Sequence, residues 1–139
     1  FARIHGVALD YRETERLSAT IRRAIEAYGP IDLALCWIHG TAPEALPAVV
    51  RELAAQSGPF RLVHVRGSAA ADPTRLPTVP DLPPQCRYQE VILGFVVEGR
   101  GSRWLTDQEI SAGTIQAIET GEPRAIVGTV RPWELRPGW

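Results

Sequence analysis

Lysine and methionine are absent from this chain. All fifteen of its Lys and Arg residues are arginine, so no mechanism that needs a lysine amine is open to it. A translated chain starts with methionine, whereas this one starts with Phe1. We therefore expect either that the amino terminus has been processed or that the chain is part of a longer protein.

Long apolar runs and a strong net charge are also lacking. No run approaches the roughly 20 residues needed to cross a bilayer, and the opening FARIHG is not a signal peptide. The formal net charge of −1 gives no reason to expect nucleic acid or an anionic membrane as a partner. The sequence predicts a cytoplasmic protein, and its 45% hydrophobic content suits a single globular domain over residues 1–139.

Only two cysteines occur, Cys36 and Cys86, and their spacing is not that of metal ligands. Cys36 lies in an apolar run and is most simply a small buried hydrophobe. A disulfide between the two is not favoured in a cytosolic chain. Carboxylates at metal-ligand spacing from His5, His39 and His64 are lacking, so the sequence predicts no metal site.

The stretch 29–41, GPIDLALCWIHGT, contains the most continuous apolar run of the chain. It is too short for an independent helix and too uniformly apolar for a half-exposed strand. It predicts a central strand that is buried on both faces, in a parallel sheet covered by helices. Ligands of such sheets bind beyond the carboxyl ends of the strands, which is where His39, Gly40 and Thr41 are expected.

The other patterns alternate between strands and helices. Short connections between them favour parallel strands with right-handed crossovers. Thr106 and Glu109 have capping-box spacing with Gly121 as the stop, and Thr41 and Glu44 have the same cap spacing. The expected strands are 3–9, 31–38, 60–65, 88–97 and 124–130; the expected helices are 13–28, about 47–56 and 106–120; a Pro-rich loop covers 69–87 and a Pro/Trp-rich tail covers 131–139.

Four segments are distinctive as sequences: HVRGSAAADP (64–73), YQEVILGFVVE (88–98), WLTDQEIS (104–111) and IVGTVRPWE (126–134). Three more are VALDYRETERL (7–17), GPIDLALCWIHG (29–40) and RLVHVRGS (61–68). The latter three resemble the third, fourth and fifth strands of the short-chain dehydrogenase/reductase family, which has a Rossmann fold. The first four segments resemble those that recur in a small, divergent bacterial subgroup of that family, and this resemblance covers nearly the whole chain.

The resemblance implies a particular fold and a cofactor. The fold is α/β and Rossmann-like, with flanking helices and a mostly parallel sheet of about five strands that lacks the first βαβ unit. The family's glycine-rich turn, which holds the cofactor pyrophosphate, has no counterpart here. We therefore expect the intact protein to bind NAD or NADP, and this chain by itself to bind none.

The resemblance also selects candidate site residues. Trp37, Ile38 and His39 stand where the family has Asn-Asn-Ala, and Tyr88 stands for its catalytic tyrosine. In the family that tyrosine is followed four positions later by a lysine, whereas here Ile92 follows, so the active site is degenerate. The cofactor-binding candidates are Asp10, Tyr11, Trp37, Ile38, His39 and Gly67, and the catalytic candidates are Ser68 and Tyr88.

Each candidate also has a structural interpretation. Asp10 either contacts the adenine or caps the helix at Glu13. His39 either contacts a ligand or is satisfied by nearby backbone. The pair Gly67-Ser68 either approaches a ligand or only begins the long loop.

Two functions remain open from the sequence. The first is a short-chain dehydrogenase-like NAD(P)-binding oxidoreductase with a degenerate active site and a truncated cofactor site. The alternative is a non-catalytic regulatory or interaction domain on a Rossmann scaffold. In both cases we expect a homo-oligomer, because a truncated sheet exposes apolar surface, to which Trp104, Trp133 and Trp139 contribute if they do not pack at core edges.

Overall fold

Four parallel strands form the main sheet of the computed structural model, which describes residues 3–67 and 81–138. In chain order the elements are α1 (Thr14–Tyr28), β1 (Leu33–Cys36), α2 (Ala45–Ala55), β2 (Phe60–Arg66), β3 (Cys86–Leu93), β4 (Phe95–Glu98), β5 (Gly101–Trp104), α3 (Asp107–Thr120), β6 (Arg124–Val127) and a 3-10 helix (Trp133–Leu135). The strand order is β1-β2-β3-β6, and all three pairings are parallel. The predicted α/β class and parallel sheet are confirmed.

The sheet has four strands in the described residues, where about five were predicted. The strand predicted over 3–9 is wrong, because these residues are not in a strand and pair with none in the part of the chain that the structure describes. Most of their side chains are exposed, with Ile4 at 89% and Val7 at 61%. Apolar residues favour a strand only where neighbouring strands cover them, and none of the described strands lies beside this segment.

The prediction that β1 is central and buried on both faces is also wrong. Within the described residues β1 is an edge strand that pairs only with β2. Leu35 is 52% exposed, whereas Cys36 is buried. An unbroken apolar run does not distinguish an edge strand from a central one, because the number of neighbours depends on distant parts of the chain.

The predicted strand 88–97 is divided at Gly94 into β3 and β4. A Cβ atom on Gly94 would lie 2.1 Å from the carbonyl oxygen of Thr129, so only glycine permits this approach of the two backbones. Phe95 and Thr129 exchange two backbone hydrogen bonds of 2.8 Å there. The chain then leaves the sheet, and β4 pairs antiparallel with β5 as a separate hairpin.

The helices agree better with the sequence. Helix α3 has the predicted capping box, in which Glu109 N donates to Thr106 Oγ1 over 3.1 Å and Thr106 N donates to Glu109 Oε1 over 2.9 Å. Gly121 ends α3 in the left-handed conformation, as predicted. The predicted cap at Thr41 is wrong: Glu44 is the N-cap of α2 and makes no side-chain cap hydrogen bond.

The described residues form two compact units. One contains α1 and α2, which are joined by an ion pair between Arg22 and Glu52 (3.2 Å). The other contains the sheet, the hairpin and α3, and its core is built around Val63, Val65, Val91 and Ala117. None of the described helices has the length and apolar character that a membrane-spanning segment requires.

Candidate functional site on the sheet

Asp10, a candidate for the adenine contact, is engaged by its own neighbour. Its carboxylate accepts hydrogen bonds from the backbone N–H of Arg12 (2.9 Å) and from the Arg12 guanidinium (2.7 Å to Nη2). These bonds to Arg12 hold the pKa of Asp10 at about 2. Helix α1 has Glu13 as its N-cap and no side-chain cap bond, so Asp10 closes a turn and does not cap the helix.

Tyr11 and His39 are brought together by the fold. The backbone N–H of His39 donates to the Tyr11 hydroxyl over 3.4 Å. Trp37 follows directly on β1 and is 51% exposed, and Ile38 is half-buried. Three of the cofactor-binding candidates therefore follow the carboxyl end of β1, and Tyr11 contacts one of them.

Gly67 lies just beyond the carboxyl end of β2, level with Leu93 on β3. A Cβ atom on Gly67 would lie 3.2 Å from Cβ of Leu93, so a larger residue would need a small shift there. Ser68, the candidate catalytic serine, lies outside the described residues.

Tyr88 is not level with Gly67. Its register partner on β2 is Leu62, whereas Arg66 pairs with Ile92. Gly67 therefore lies about five residues further along the strand, which corresponds to roughly 16 Å. The Tyr88 hydroxyl lies 2.9 Å from Nδ1 of His64.

The sheet carries a polar cluster that sequence reasoning missed, which we call the sheet-face cluster: His64, Arg66, Tyr88 and Glu90. Residues two apart on a strand share one face, and His64 is the register partner of Glu90. Arg66 Nη1 and Glu90 Oε2 form an ion pair of 2.7 Å, with side-chain exposures of only 10% and 11%. Arg124 Nε on β6 lies 3.7 Å from Glu90 Oε1 and is more exposed.

Burial sets the protonation states of this cluster. Desolvation, with a smaller contribution from Arg66, lowers the pKa of His64 to about 4. Desolvation and then the charge of Glu90 raise the pKa of Tyr88 above its usual value. Cys36, the register partner of His64, is buried, and its pKa is raised to about 11. At neutral pH the His64 imidazole, the Tyr88 phenol and the Cys36 thiol are therefore all uncharged. The buried ion pair between Arg66 and Glu90 carries the charges on this face of the sheet.

This arrangement limits the chemistry of Tyr88. A tyrosine that acts as a proton donor near neutral pH needs a lowered pKa, commonly from a nearby cation. Here desolvation and the charge of Glu90 instead raise the pKa of Tyr88. The cluster can donate and accept hydrogen bonds, but it does not provide an activated phenol.

One signal in the sequence could have identified the cluster. In the segment 60–66, FRLVHVR, His64 and Arg66 are two positions apart, and in the segment 86–93, CRYQEVIL, Tyr88 and Glu90 are two positions apart. Alternation predicts that His64 shares a face with Arg66, and Tyr88 with Glu90. Which residues meet across the two strands depends on register, which the sequence does not show.

The opposite face of the sheet holds α3 by polar contacts. The Gln89 amide, which is 1% exposed, donates to the carbonyls of Ala117 (3.2 Å) and Glu122 (2.9 Å). Arg61 donates to Gln89 and, over 2.8 Å, to the carbonyl of Ile118. These contacts satisfy carbonyls at the carboxyl end of α3, so Gln89 and Arg61 have a structural role.

Within residues 3–67 and 81–138, no three His, Cys, Asp or Glu side chains are grouped as a metal site would require, and both cysteines are free thiols. No protein-family model, curated protein or solved structure matches the chain.

Proposed function

We propose that this chain is a Rossmann-like, short-chain dehydrogenase-like domain, and that the protein it forms binds NAD or NADP through the carboxyl edge of the sheet. The strand order carries this proposal. Each parallel strand lies beside the next parallel strand along the chain, β1-β2-β3-β6. One half of a doubly wound dinucleotide-binding sheet has the same consecutive order.

The groups beyond the strand ends suit the edge of a nucleotide site. Trp37 offers a half-exposed aromatic face for a base, and Gly67 allows backbone to approach a ligand. In this proposal Trp37 and Gly67 form the wall on the adenosine side of the nucleotide site. The family's glycine-rich turn, which would hold the pyrophosphate, has no counterpart in this sequence.

Titration of the full-length gene product with NADH and NADPH tests the proposal, with cofactor fluorescence as the readout. We expect saturable binding of at least one cofactor. Trp37→Ala should weaken binding about tenfold, equivalent to about 1.4 kcal/mol. Ile115→Ala on α3, which removes an equally exposed apolar side chain, serves as the control and should leave binding unchanged. If neither NADH nor NADPH saturates the protein at millimolar concentration, the proposal is contradicted.

The second candidate is a non-catalytic regulatory or interaction domain on the same scaffold. It is favoured by the environment of Tyr88, whose hydroxyl lies beside His64 and whose pKa is raised, and by the absence of lysine. Assay of carbonyl reduction with NADH and NADPH separates the candidates. Turnover that is lost in Tyr88→Phe would exclude the second candidate; cofactor binding without turnover would support a binding domain.

A further inference from the structure

A groove lies between helices α1 and α2, which belong to the same compact unit, and we call it the α1–α2 groove. Its volume of about 340 Å³ is large enough for a small molecule. The residues that line it all have polar or charged side chains: Thr14, Glu15, Ser18, Arg22, Arg51 and Glu52. An apolar ligand would displace water from these groups without replacing its hydrogen bonds, so the lining fits a polar ligand.

An ion pair between Arg22 and Glu52 forms one part of this lining. Arg22 Nε and Nη2 donate to the two carboxylate oxygens of Glu52 over 3.2 and 3.3 Å. The Glu52 side chain is only 12% exposed, whereas that of Arg22 is 59% exposed. The two charges compensate each other, but the guanidinium keeps further N–H donors and the carboxylate keeps further lone pairs. This part of the groove can therefore bind an uncharged polar group.

Glu15 and Arg51 carry the other two charges of the groove. In the part of the chain that the structure describes, neither of them forms an ion pair. Arg51 Nη2 donates to the hydroxyl of Ser18 over 3.4 Å, and Ser18 is 5% exposed. A guanidinium has five N–H donors, so most of those on Arg51 can still bind a ligand oxygen. Glu15 and Ser18 are three positions apart, which places both on one side of α1, so the unpaired carboxylate and guanidinium border the same space.

We propose that the α1–α2 groove binds a small zwitterion of the class of polar α-amino acids. The carboxylate of the ligand accepts hydrogen bonds from Arg51, and its ammonium group donates to Glu15. A polar side chain such as an amide reaches the pair of Arg22 and Glu52, where it finds both donors and acceptors. Glu15 repels a simple anion and Arg51 repels a simple cation, so the groove selects a molecule that carries both charges.

The inference is independent of the proposed function, since it uses only α1 and α2. Titration of the full chain with L-glutamine, followed by backbone amide NMR, tests it. We expect saturable shifts at the groove residues with a dissociation constant of about 1 mM, because exposed charges each contribute little. Glutaramate lacks the ammonium group of glutamine, and γ-aminobutyramide lacks its carboxylate. Each should bind at least about tenfold more weakly than L-glutamine.

Two variants assign the charges of the ligand to their partners. In Glu15→Gln, L-glutamine should bind no more tightly than glutaramate, because the partner of the ammonium group is lost. In Arg51→Gln, L-glutamine should bind no more tightly than γ-aminobutyramide. Both side chains are exposed, and far-UV circular dichroism checks that each variant folds. Arg23→Gln and Glu26→Gln remove the same charges from exposed positions of α1 outside the groove, and should leave binding unchanged.

Three results would overturn the proposal. The first is that L-glutamine does not saturate the shifts even well above millimolar concentration. The second is that glutaramate binds the unmodified protein as tightly as L-glutamine, which would make the groove a site for anions. The third is that neither Glu15→Gln nor Arg51→Gln weakens the binding of L-glutamine, which would place the bound molecule elsewhere.

Discussion

Glu90 connects three strands through its side chain. It pairs with Arg66 on β2 and lies near Arg124 on β6, while its own strand lies between them. The Arg66–Glu90 pair is almost completely buried, and burying two charges costs solvation energy that only good geometry offsets. Removing one partner leaves the other charge buried without its counter-ion.

Glu90→Gln should therefore destabilise the fold by about 3 kcal/mol, measured as the free energy of unfolding in urea. The matched control is Glu13→Gln, which breaks the exposed pair with Arg16 and should cost less than about 1 kcal/mol. If the two variants were equally stable, the Arg66–Glu90 pair would not be buried in solution.

At the residue scale, sequence reasoning succeeded where a residue acts on its neighbours in the chain. The pair Thr106 and Glu109 was identified because both residues of the box lie within one turn. It failed for His64 and Glu90, which are twenty-six positions apart and become neighbours only through the register of β2 and β3. Asp10 lies between these two cases. Its hydrogen bond with Arg12 is local, but the sequence pattern does not distinguish such a turn from a helix cap.

At the scale of elements, α3 is fixed at both ends by different means. Its amino end has a capping box from its own sequence, and its carboxyl end is held by Gln89 and Arg61 from the sheet. The side chain of Gln89 is buried, so its loss would leave the carbonyls of Ala117 and Glu122 without these donors.

Gln89→Leu should cost about 1–2 kcal/mol of unfolding free energy, because the carbonyls of Ala117 and Glu122 each lose one hydrogen bond while Ala117 O keeps the one from Gly121 N. Thr106→Ala at the other end should cost about 1 kcal/mol. Amide hydrogen exchange resolves the two effects: the Gln89 variant should speed exchange in the last turn of α3, and the Thr106 variant in the first. Equal acceleration along the whole helix in both variants would contradict this assignment.

The strands show why strand boundaries are harder to predict from the sequence than helix boundaries. The composition of 88–97 favours one strand, yet the approach of Thr129 to Gly94 divides it. The segment 3–9 has strand-like residues but no neighbouring strand among residues 3–67 and 81–138. A helix satisfies its backbone within itself, whereas a strand needs a partner that the local sequence does not specify.

At the scale of the whole molecule, His64 makes folding stability depend on pH. Its pKa is about 4 in the folded protein and 6.5 in an unfolded chain. Between these values the unfolded state binds more protons than the folded state, so stability decreases as pH falls. The stabilising effect of the neutral imidazole is therefore complete above pH 6.5 and is lost as pH falls to about 4.

We expect the urea midpoint to fall between pH 6.5 and pH 4, and this slope to flatten in His64→Gln. Hydrogen bonds from Arg12 and Arg103 lower the pKa values of Asp10 and Glu109 to about 2. Part of the folding stability that these two carboxylates contribute is therefore lost only at lower pH, where they become protonated in the folded protein. An unchanged slope in the variant would show that His64 is not the group that titrates.

The sequence by itself determined the alternation of helices and strands, the parallel α/β class and the ends of α3, because these depend on residues a few positions apart. Only the tertiary structure decided that β1 is an edge strand in the described residues, that Gly94 ends β3, and that His64, Arg66, Tyr88 and Glu90 share one face. Each of these depends on the register and neighbours of strands that are far apart in the chain. The register of Leu62 with Tyr88, in particular, separates Tyr88 from Gly67 and places its hydroxyl beside His64.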